Sequence, residues 1–151
     1  MTSNDVQILL VEDNPNDVKL AMHAFKTHNI ANSVHVALDG VEALEFIFCT
    51  DRYADRRIEN GLKMILLDLK LPLVDGIEVL RRTKAVPRTQ AIPVVVMTSS
   101  KEDRDVVESY KLGVNSYIVK PVDFGQFTDA VKQLSCYWLL LNQSPVAGAW
   151  I

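Results

Sequence analysis

Short apolar runs alternate with stripes of apolar residues at helical spacing, and this pairing recurs five times along the chain. The runs are rich in valine, isoleucine and leucine and are apolar on both faces. That pattern is typical of parallel strands with helices packed on each side of the sheet. The runs predict strands at Gln7–Glu12, Val34–Leu38, Met64–Asp68, Val94–Thr98 and Ser116–Val119.

The stripes between these runs predict five helices, the first of which has Asn14 as a good N-cap and Pro15 at its first helical position. Their predicted starts are at Asn14-Pro15, after Asp39-Gly40, near Asp75-Gly76, at Ser99-Ser100 and at Asp123. Gly113 is the predicted end of the fourth helix, because glycine readily adopts the left-handed conformation there. The charged stretch 50–63, which includes Arg56, is predicted to extend the second helix and then form an exposed loop.

Strict alternation of strands and helices predicts an α/β fold, in which a doubly wound five-stranded parallel sheet is covered by five helices. Right-handed crossovers permit few other arrangements. We expect one domain over residues 1–143, a loosely ordered tail over 144–151, and no output domain after the fifth helix.

Composition narrows the classes of function. The formal net charge is −3 and no run of lysine or arginine is present, which argues against a nucleic-acid partner. No apolar stretch reaches the roughly 20 residues of a membrane span. The first residues do not have the pattern of a secretory signal. Cys49 and Cys136 lack metal-type spacing, so we expect reduced cysteines in a cytoplasmic protein.

Candidate chemistry lies where the predicted strands end. Glu12-Asp13 ends the first strand, Asp68 the third and Lys120 the fifth. In an open parallel sheet the carboxyl ends of the strands line one crevice. Clustered carboxylates repel one another, and hard oxygen ligands suit Mg²⁺, so the acids indicate a metal site. A lysine at the end of a buried strand needs an anion nearby, which a phosphoryl group or Asp68 itself would supply.

Asp68 could be a nucleophile, because an aspartate can form an acyl phosphate. Thr98, at the end of the fourth strand, offers a hydroxyl to the same crevice. Each residue also has a structural interpretation: Asp68 could cap a loop, Thr98 could cap the next helix, and adjacent acids such as Glu12-Asp13 are often solvated.

Taken together, the chain resembles the response-regulator receiver domain, the phosphoryl-accepting module of two-component signalling. The residues that match, in order, are Glu12-Asp13, Asp68 with Asp75-Gly76, Thr98, Tyr117 and Lys120-Pro121. The charged stretch 50–63 and the segments 112–117, 120–123 and 137–139 are similar to cyanobacterial phytochrome-associated regulators of the Rcp type.

The resemblance implies a flavodoxin-like sheet with strand order 2-1-3-4-5. It also implies that Asp68 accepts a phosphoryl group from a sensor histidine kinase, which the Rcp likeness suggests is of the phytochrome type. The roles carried over are Mg²⁺ binding by Glu12, Asp13, Asp68 and the backbone carbonyl of Lys70, phosphoryl binding by Thr98 and Lys120, and switching by Thr98 and Tyr117.

The fifth predicted helix carries a second apolar strip, which includes Tyr137 and Leu140. A helix that is apolar on several sides is buried on several sides, so we expect a homodimer through this helix. The Rcp likeness also implies a dimer. Alternatively, these side chains cover the edge of their own sheet.

Three other functions are weighed against a phosphorylated switch that turns over no independent substrate. A phosphatase of the haloacid-dehalogenase type needs a second aspartate two residues after its nucleophile, where this chain has Lys70. A flavodoxin-like cofactor binder would hold phosphate after the first strand, where Glu12-Asp13 would repel it. A receiver-like docking module that works without phosphorylation stays open, although the intact acids and Lys120 argue against it.

Overall fold

A computed structural model describes residues 6–27, 33–57, 62–98 and 103–119, and the single helical positions Gly125, Asp129 and Gln133. The elements in chain order are β1 (Ile8–Val11), α1 (Pro15–Thr27), β2 (Val34–Ala37), α2 (Gly40–Phe48), a 3-10 turn (Asp51–Tyr53), β3 (Met64–Leu67), α3 (Gly76–Ala85), α4 (Pro87–Gln90), β4 (Val94–Thr98), α5 (Asp103–Lys111) and β5 (Ser116–Val119).

All five strands are parallel and their order is β2-β1-β3-β4-β5, which confirms the predicted fold and strand order. The register sets the functional edge of the sheet. Val11 pairs with Ala37 on one side and with Leu67 on the other, so these three strands end level with one another. Residues that follow β1 and β3 therefore emerge side by side.

The sheet separates two apolar cores, as the two-sided strands predict. Leu9 and Val11 face one core, which they share with residues of α2 and α3. Ile8 and Leu10 face the other core, which holds Ala21, Ala24 and Phe25 of α1. Because side chains alternate along a strand, Glu12 follows the direction of Leu10, and Asp68 follows that of Leu66, toward α1.

The predicted starts of the first three helices are confirmed. Asp39 Oδ1 accepts a hydrogen bond from the Glu42 N–H at 2.7 Å, and Asp75 Oδ1 accepts one from Glu78 N–H at 2.9 Å. These side chains satisfy N–H groups that have no partner within the helix. The predicted start of the fourth helix at Ser99-Ser100 lies outside the described residues, and α5 is described from Asp103.

After α5, Gly113 has a φ of 96°, which agrees with its predicted role at the helix end. Gly125, Asp129 and Gln133 are helical, in agreement with the fifth predicted helix. Its proposed interface residues, Tyr137 and Leu140, lie outside the described residues. Within the described part of the chain, no helix has the length and apolar character needed to cross a bilayer.

The prediction that the stretch 50–63 extends α2 is wrong. The helix ends at Phe48, and Cys49 follows in the left-handed conformation with a φ of 58°. That turn redirects the chain, and Arg56 folds back onto the end of α2. Arg56 is only 7% exposed, although it was predicted to lie in an exposed loop. It donates a hydrogen bond to the Phe46 carbonyl oxygen, one of the carbonyls that a helix end leaves without a partner.

Candidate functional site

Three carboxylates meet at the carboxyl edge of the sheet, where the sequence predicted a metal site. Glu12, Asp13 and Asp68 each offer an oxygen, and these oxygens all lie within 4.8 Å of one another. Glu12 and Asp68 are 5% and 7% exposed, whereas Asp13 is open to solvent. The structure therefore brings together the acids from two strands that are far apart in sequence.

Backbone hydrogen bonds hold these carboxylates in place. The Asp68 N–H donates to the Val11 carbonyl oxygen at 3.0 Å, which extends the pairing of β1 with β3 by one residue. Asp68 Oδ1 accepts a hydrogen bond from the Lys70 N–H at 3.1 Å, and Glu12 Oε2 accepts one from the Asn14 N–H at 3.2 Å. Both acids are thus oriented by the loops that they begin.

The donor set fits a divalent metal ion. Three like charges this close are unfavourable together, and a divalent cation among them removes that repulsion. Carboxylate oxygens are the ligands that hard cations of this kind prefer in proteins. Glu12, Asp13 and Asp68 are therefore the side chains that could hold a metal ion here.

Gly76 fixes the start of α3 against the backbone of Asp68, a contact that the sequence did not predict. Its N–H donates to the Leu69 carbonyl oxygen at 2.9 Å. A Cβ atom at Gly76 would lie 2.3 Å from the Asp68 carbonyl oxygen, so only glycine permits this approach. The sequence indicated a helix start here, and the glycine itself was the available signal for a close contact.

A second glycine joins two loops beside the site. The Gly40 N–H donates to the Pro72 carbonyl oxygen at 3.4 Å. A Cβ atom at Gly40 would lie 1.8 Å from the Val74 carbonyl oxygen, which again requires glycine. The loop that follows β2 therefore rests directly on the loop that follows β3, which begins with Asp68.

Asp17 was not predicted as a site residue, yet it lies next to the acids. It stands in the first turn of α1 and lines a small cavity of about 10 Å³ together with Glu12 and Asp68. That space is about enough for one water molecule. Apolar side chains close the rest of the cavity, among them Leu10, Ala21, Leu66 and Met97. An acid in the first turn of a helix is usually explained by its favourable interaction with the helix dipole, so Asp17 did not stand out in the sequence.

For the other predicted site residues, Lys70, Thr98, Tyr117 and Lys120, the structure describes the position in the fold of the first three. Thr98 ends β4 and pairs with Val119 of β5, so Lys120 follows the residue beside Thr98, but Lys120 itself lies outside the described residues. Tyr117 is half-buried and packs against the core that α2 and α3 share. The Lys70 side chain is exposed. The individual roles of Lys70, Thr98, Tyr117 and Lys120 stay predictions.

A second polar cluster, which we call the Phe46 cluster, surrounds one aromatic ring at the edge of the sheet. The imidazole of His35 stacks on Phe46 with a centroid distance of 4.2 Å, and the Arg56 guanidinium carbon lies 3.7 Å from the centroid of the same ring. Both groups are too close to share one face of the ring, so they cover opposite faces. Glu42 and Tyr53 complete the cluster.

Hydrogen bonds link the members of the Phe46 cluster. The Tyr53 hydroxyl donates to Glu42 Oε2 at 2.6 Å. Since that hydrogen is used, the tautomer of His35 with hydrogen on Nε2 donates to the Tyr53 oxygen at 3.0 Å. The other carboxylate oxygen of Glu42 accepts the Leu38 N–H at 3.0 Å. The sequence predicted none of these contacts.

Burial and charge shift the pKa values in this cluster. Burial lowers the pKa of His35 below its ordinary value of 6.5; Glu42 opposes this effect and Arg56 adds to it. Burial alone would raise the pKa of Glu42, but hydrogen bonds from Tyr53 and Leu38, with neighbouring charges, lower it. Burial and the bond to Glu42 raise the pKa of Tyr53 to about 12. At neutral pH the cluster therefore holds a neutral imidazole and a charged carboxylate.

Comparison with known proteins gives the family. The family model described as "Response regulator receiver domain" matches residues 8–132. The methanogenesis regulatory protein FilR2 of Methanothrix harundinacea, described as probable, is 41% identical over 91% of this chain and 86% of its own length. Response regulator Rcp1 of Synechocystis is 37% identical over 93% of each chain.

Two solved structures extend the comparison. The Mn²⁺-bound form of Rcp1 aligns with a TM-score of 0.82 at 36% identity, over 93% of this chain and 99% of the other. The bacteriophytochrome response regulator AtBRR is 48% identical, with a TM-score of 0.72, over 91% of this chain and 98% of the other. Together with the fold and the acid cluster, these likenesses show that the chain belongs to the response regulator receiver domain family, whose members pair with histidine kinases, and that it is a phosphoacceptor of two-component signalling.

Proposed function

We propose that Asp68 accepts the phosphoryl group, with Mg²⁺ bound beside it, from the phosphohistidine of a histidine kinase of the bacterial phytochrome type. The observation that carries this proposal is the convergence of Asp68 with Glu12 and Asp13 within 4.8 Å. The kinase type is supported by the likeness to AtBRR, which is named as a bacteriophytochrome response regulator.

The transfer is a substitution at phosphorus. A carboxylate oxygen of Asp68 attacks the phosphorus atom, the bond from phosphorus to the imidazole nitrogen breaks, and that nitrogen keeps the electron pair. The product is an acyl phosphate on Asp68, which a water molecule later hydrolyses to the carboxylate and inorganic phosphate. The backbone bonds of Asp68 hold its carboxylate at the strand end, so positioning supplies much of the effect.

Three carboxylates and one carbonyl would hold the metal ion: Glu12, Asp13, Asp68 and the backbone carbonyl of Lys70. When bound there, Mg²⁺ would neutralise charge on the phosphoryl oxygens. Asp68 and Asp13 would bind it directly, and Glu12 would act through a water molecule. The Mn²⁺-bound form of Rcp1 supports a divalent site in this family.

We assign phosphoryl binding to Thr98 and Lys120 and the conformational switch to Thr98 and Tyr117. The pairing of Thr98 with Val119 supports this assignment, because it brings the ends of β4 and β5 to the same edge as Asp68. The half-buried position of Tyr117 against the core is consistent with a ring that changes its packing. The protein would then signal by a change of surface and would turn over no independent substrate.

We further propose one receiver domain over residues 1–143 with a tail over 144–151, and a homodimer through the fifth predicted helix. A cytoplasmic location follows from a kinase that uses ATP.

The dimer is tested by sedimentation of the Tyr137→Glu, Leu140→Glu double variant, which should be monomeric where the wild type is dimeric. A monomeric wild type, or an unchanged dimer in the variant, would exclude this interface.

The decisive experiment is incubation with acetyl phosphate and Mg²⁺, followed by intact mass measurement. The wild type should gain one phosphoryl group and Asp68→Asn should gain none. Asp39→Asn is the matched control, because it also removes a carboxylate near the sheet edge, and asparagine still caps α2. An adduct on Asp68→Asn, or no adduct on the wild type, would refute the assignment of Asp68.

The alternative of a docking module that works without phosphorylation is less favoured. Such a module would have no need of three converging acids, two of them buried. Burying like charges costs free energy, so the arrangement is better explained by a site that binds a cation.

A further inference from the structure

Three large hydrophobic side chains are well exposed in the described part of the chain, and two of them lie in the loops that follow β2 and β3 at the carboxyl edge of the sheet. Leu38 is 54% exposed and Leu73 is 79% exposed, while Tyr110, on α5, is 53% exposed. Leu38 follows β2 and Leu73 lies in the loop after β3. These two loops touch through Gly40, whose N–H donates to the Pro72 carbonyl oxygen. We call the pair Leu38 and Leu73 the leucine rim.

Leu73 is also strained. Its φ is 69°, in the left-handed region that a leucine side chain disfavours and that glycine or asparagine adopts more readily. The fold holds this conformation through the Val74 N–H, which donates to the Pro72 carbonyl oxygen at 2.9 Å. For the free protein, a strained backbone that leaves an apolar side chain in water is unfavourable on both counts. Such outliers indicate a function that needs them.

From these observations we infer that the leucine rim is the docking surface for the phosphohistidine-bearing domain of the kinase. This inference rests on the proposed function. Asp68 is 7% exposed and begins the loop that carries Leu73, so a protein donor must cover that loop to bring its phosphorus atom to the carboxylate. A small donor such as acetyl phosphate need not touch the rim. The partner surface beside the histidine would be apolar.

The chemistry of the two donors gives a direct test. We would compare the wild type with the Leu38→Gln, Leu73→Asn double variant, since asparagine tolerates a positive φ better than other polar residues with a side chain do. The protein donor is the autophosphorylated bacterial phytochrome kinase that transfers fastest to the wild type in a panel. Its transfer rate below saturation should fall about 100-fold, at about tenfold for each leucine that loses its burial. Phosphorylation by acetyl phosphate should be unchanged.

Tyr110→Gln is the matched control, because it removes an equally exposed hydrophobic side chain on another element. It should leave both donors unaffected. The inference is overturned if kinase transfer to the double variant equals that of the wild type, or falls equally in Tyr110→Gln. It is also overturned if both donors slow in parallel, since the leucines would then position the acceptor loop. A wild type that acetyl phosphate does not phosphorylate would instead refute the proposed function.

Discussion

The acid cluster and the Phe46 cluster both bury polar groups, but the Phe46 cluster links unlike groups in a closed network, whereas the acid cluster gathers like charges. In the Phe46 cluster a neutral imidazole, a hydroxyl and a carboxylate form a hydrogen-bonded chain, and a guanidinium caps a helix. In the acid cluster Glu12, Asp13 and Asp68 place like charges side by side. A closed network stabilises a fold, whereas adjacent like charges favour the binding of a cation. The difference separates a structural cluster from a functional one.

The largest effect that sharpens this contrast is the response to Mg²⁺. At a concentration of 100 times the Kd, the ion should raise the free energy of unfolding of the wild type by about 2.7 kcal/mol. Asp13→Asn should lose most of this gain, because it removes one ligand. Without the metal, the same variant should be more stable than the wild type, since it relieves repulsion within the cluster. Urea unfolding with and without Mg²⁺ measures both effects.

Glu42→Gln is the control from the Phe46 cluster. It removes a carboxylate that Tyr53 and Leu38 already satisfy, so it should be less stable than the wild type and keep the full response to Mg²⁺. If Asp13→Asn and Glu42→Gln changed stability in the same direction without the metal, the distinction between the two clusters would be lost.

The next effect concerns Arg56, the cation of the Phe46 cluster. Arg56→Ala should lower the free energy of unfolding by about 2 kcal/mol, because it removes the contact with the Phe46 ring and the bond to a helix-end carbonyl. Arg57→Ala, at the exposed neighbouring position, should change it by less than about 0.5 kcal/mol. Equal losses in the two variants would show that Arg56 acts only as a surface charge.

The contrast between these clusters also marks what the sequence could predict. The acids of the site follow apolar runs, and the period of those runs indicates both the strands and the edge at which they end. The strand order and the meeting of Glu12 with Asp68 were therefore predictable. Asp17 was not, because an acid in the first turn of a helix has a sufficient local explanation.

The Phe46 cluster escaped prediction for a different reason. Its cation stands in a charged stretch, which usually indicates a solvated loop. The burial of Arg56 depends on a left-handed turn at Cys49, where no glycine signals it, and on a ring ten residues earlier. Gly40 and Gly76 were visible as helix starts, but Gly40 contacts the backbone of Val74 in another loop, and Gly76 contacts Asp68 at the far end of its own loop. Contacts between residues that only the fold brings together cannot be predicted from the local pattern of apolar and polar residues.

A smaller effect should appear on acidification. Because the pKa of His35 is lowered in the folded state, the unfolded state takes up its proton first, and stability should fall as the pH drops below 6.5. Glu42 also has a lowered pKa, so its contribution is lost at lower pH, below about 4.5. The free energy of unfolding, measured between pH 7.5 and pH 5, gives the loss caused by protonation of His35. This measurement tests whether the closed network needs a neutral imidazole.

His35→Phe should remove this loss, because phenylalanine keeps a ring against Phe46 but does not titrate. His23→Gln is the control, since His23 is an exposed residue on α1 outside the Phe46 cluster. If the loss of stability near pH 6 persisted in His35→Phe and vanished in His23→Gln, the imidazole of the Phe46 cluster would not be its source.

The smallest effect concerns a single buried hydroxyl outside both clusters. Ser109 is fully buried in α5, and no hydrogen-bond partner for its hydroxyl is found in the described structure. Ser109→Ala should therefore raise the free energy of unfolding by about 1 kcal/mol, because it removes a buried group that has lost its water. Thr89→Val should lower it by a similar amount, since the Thr89 hydroxyl donates to the Thr83 carbonyl oxygen at 2.6 Å. Opposite changes in the free energy of unfolding, measured in urea, would show that a buried hydroxyl stabilises this fold only when it has a hydrogen-bond partner. A loss of stability in both variants would contradict this conclusion.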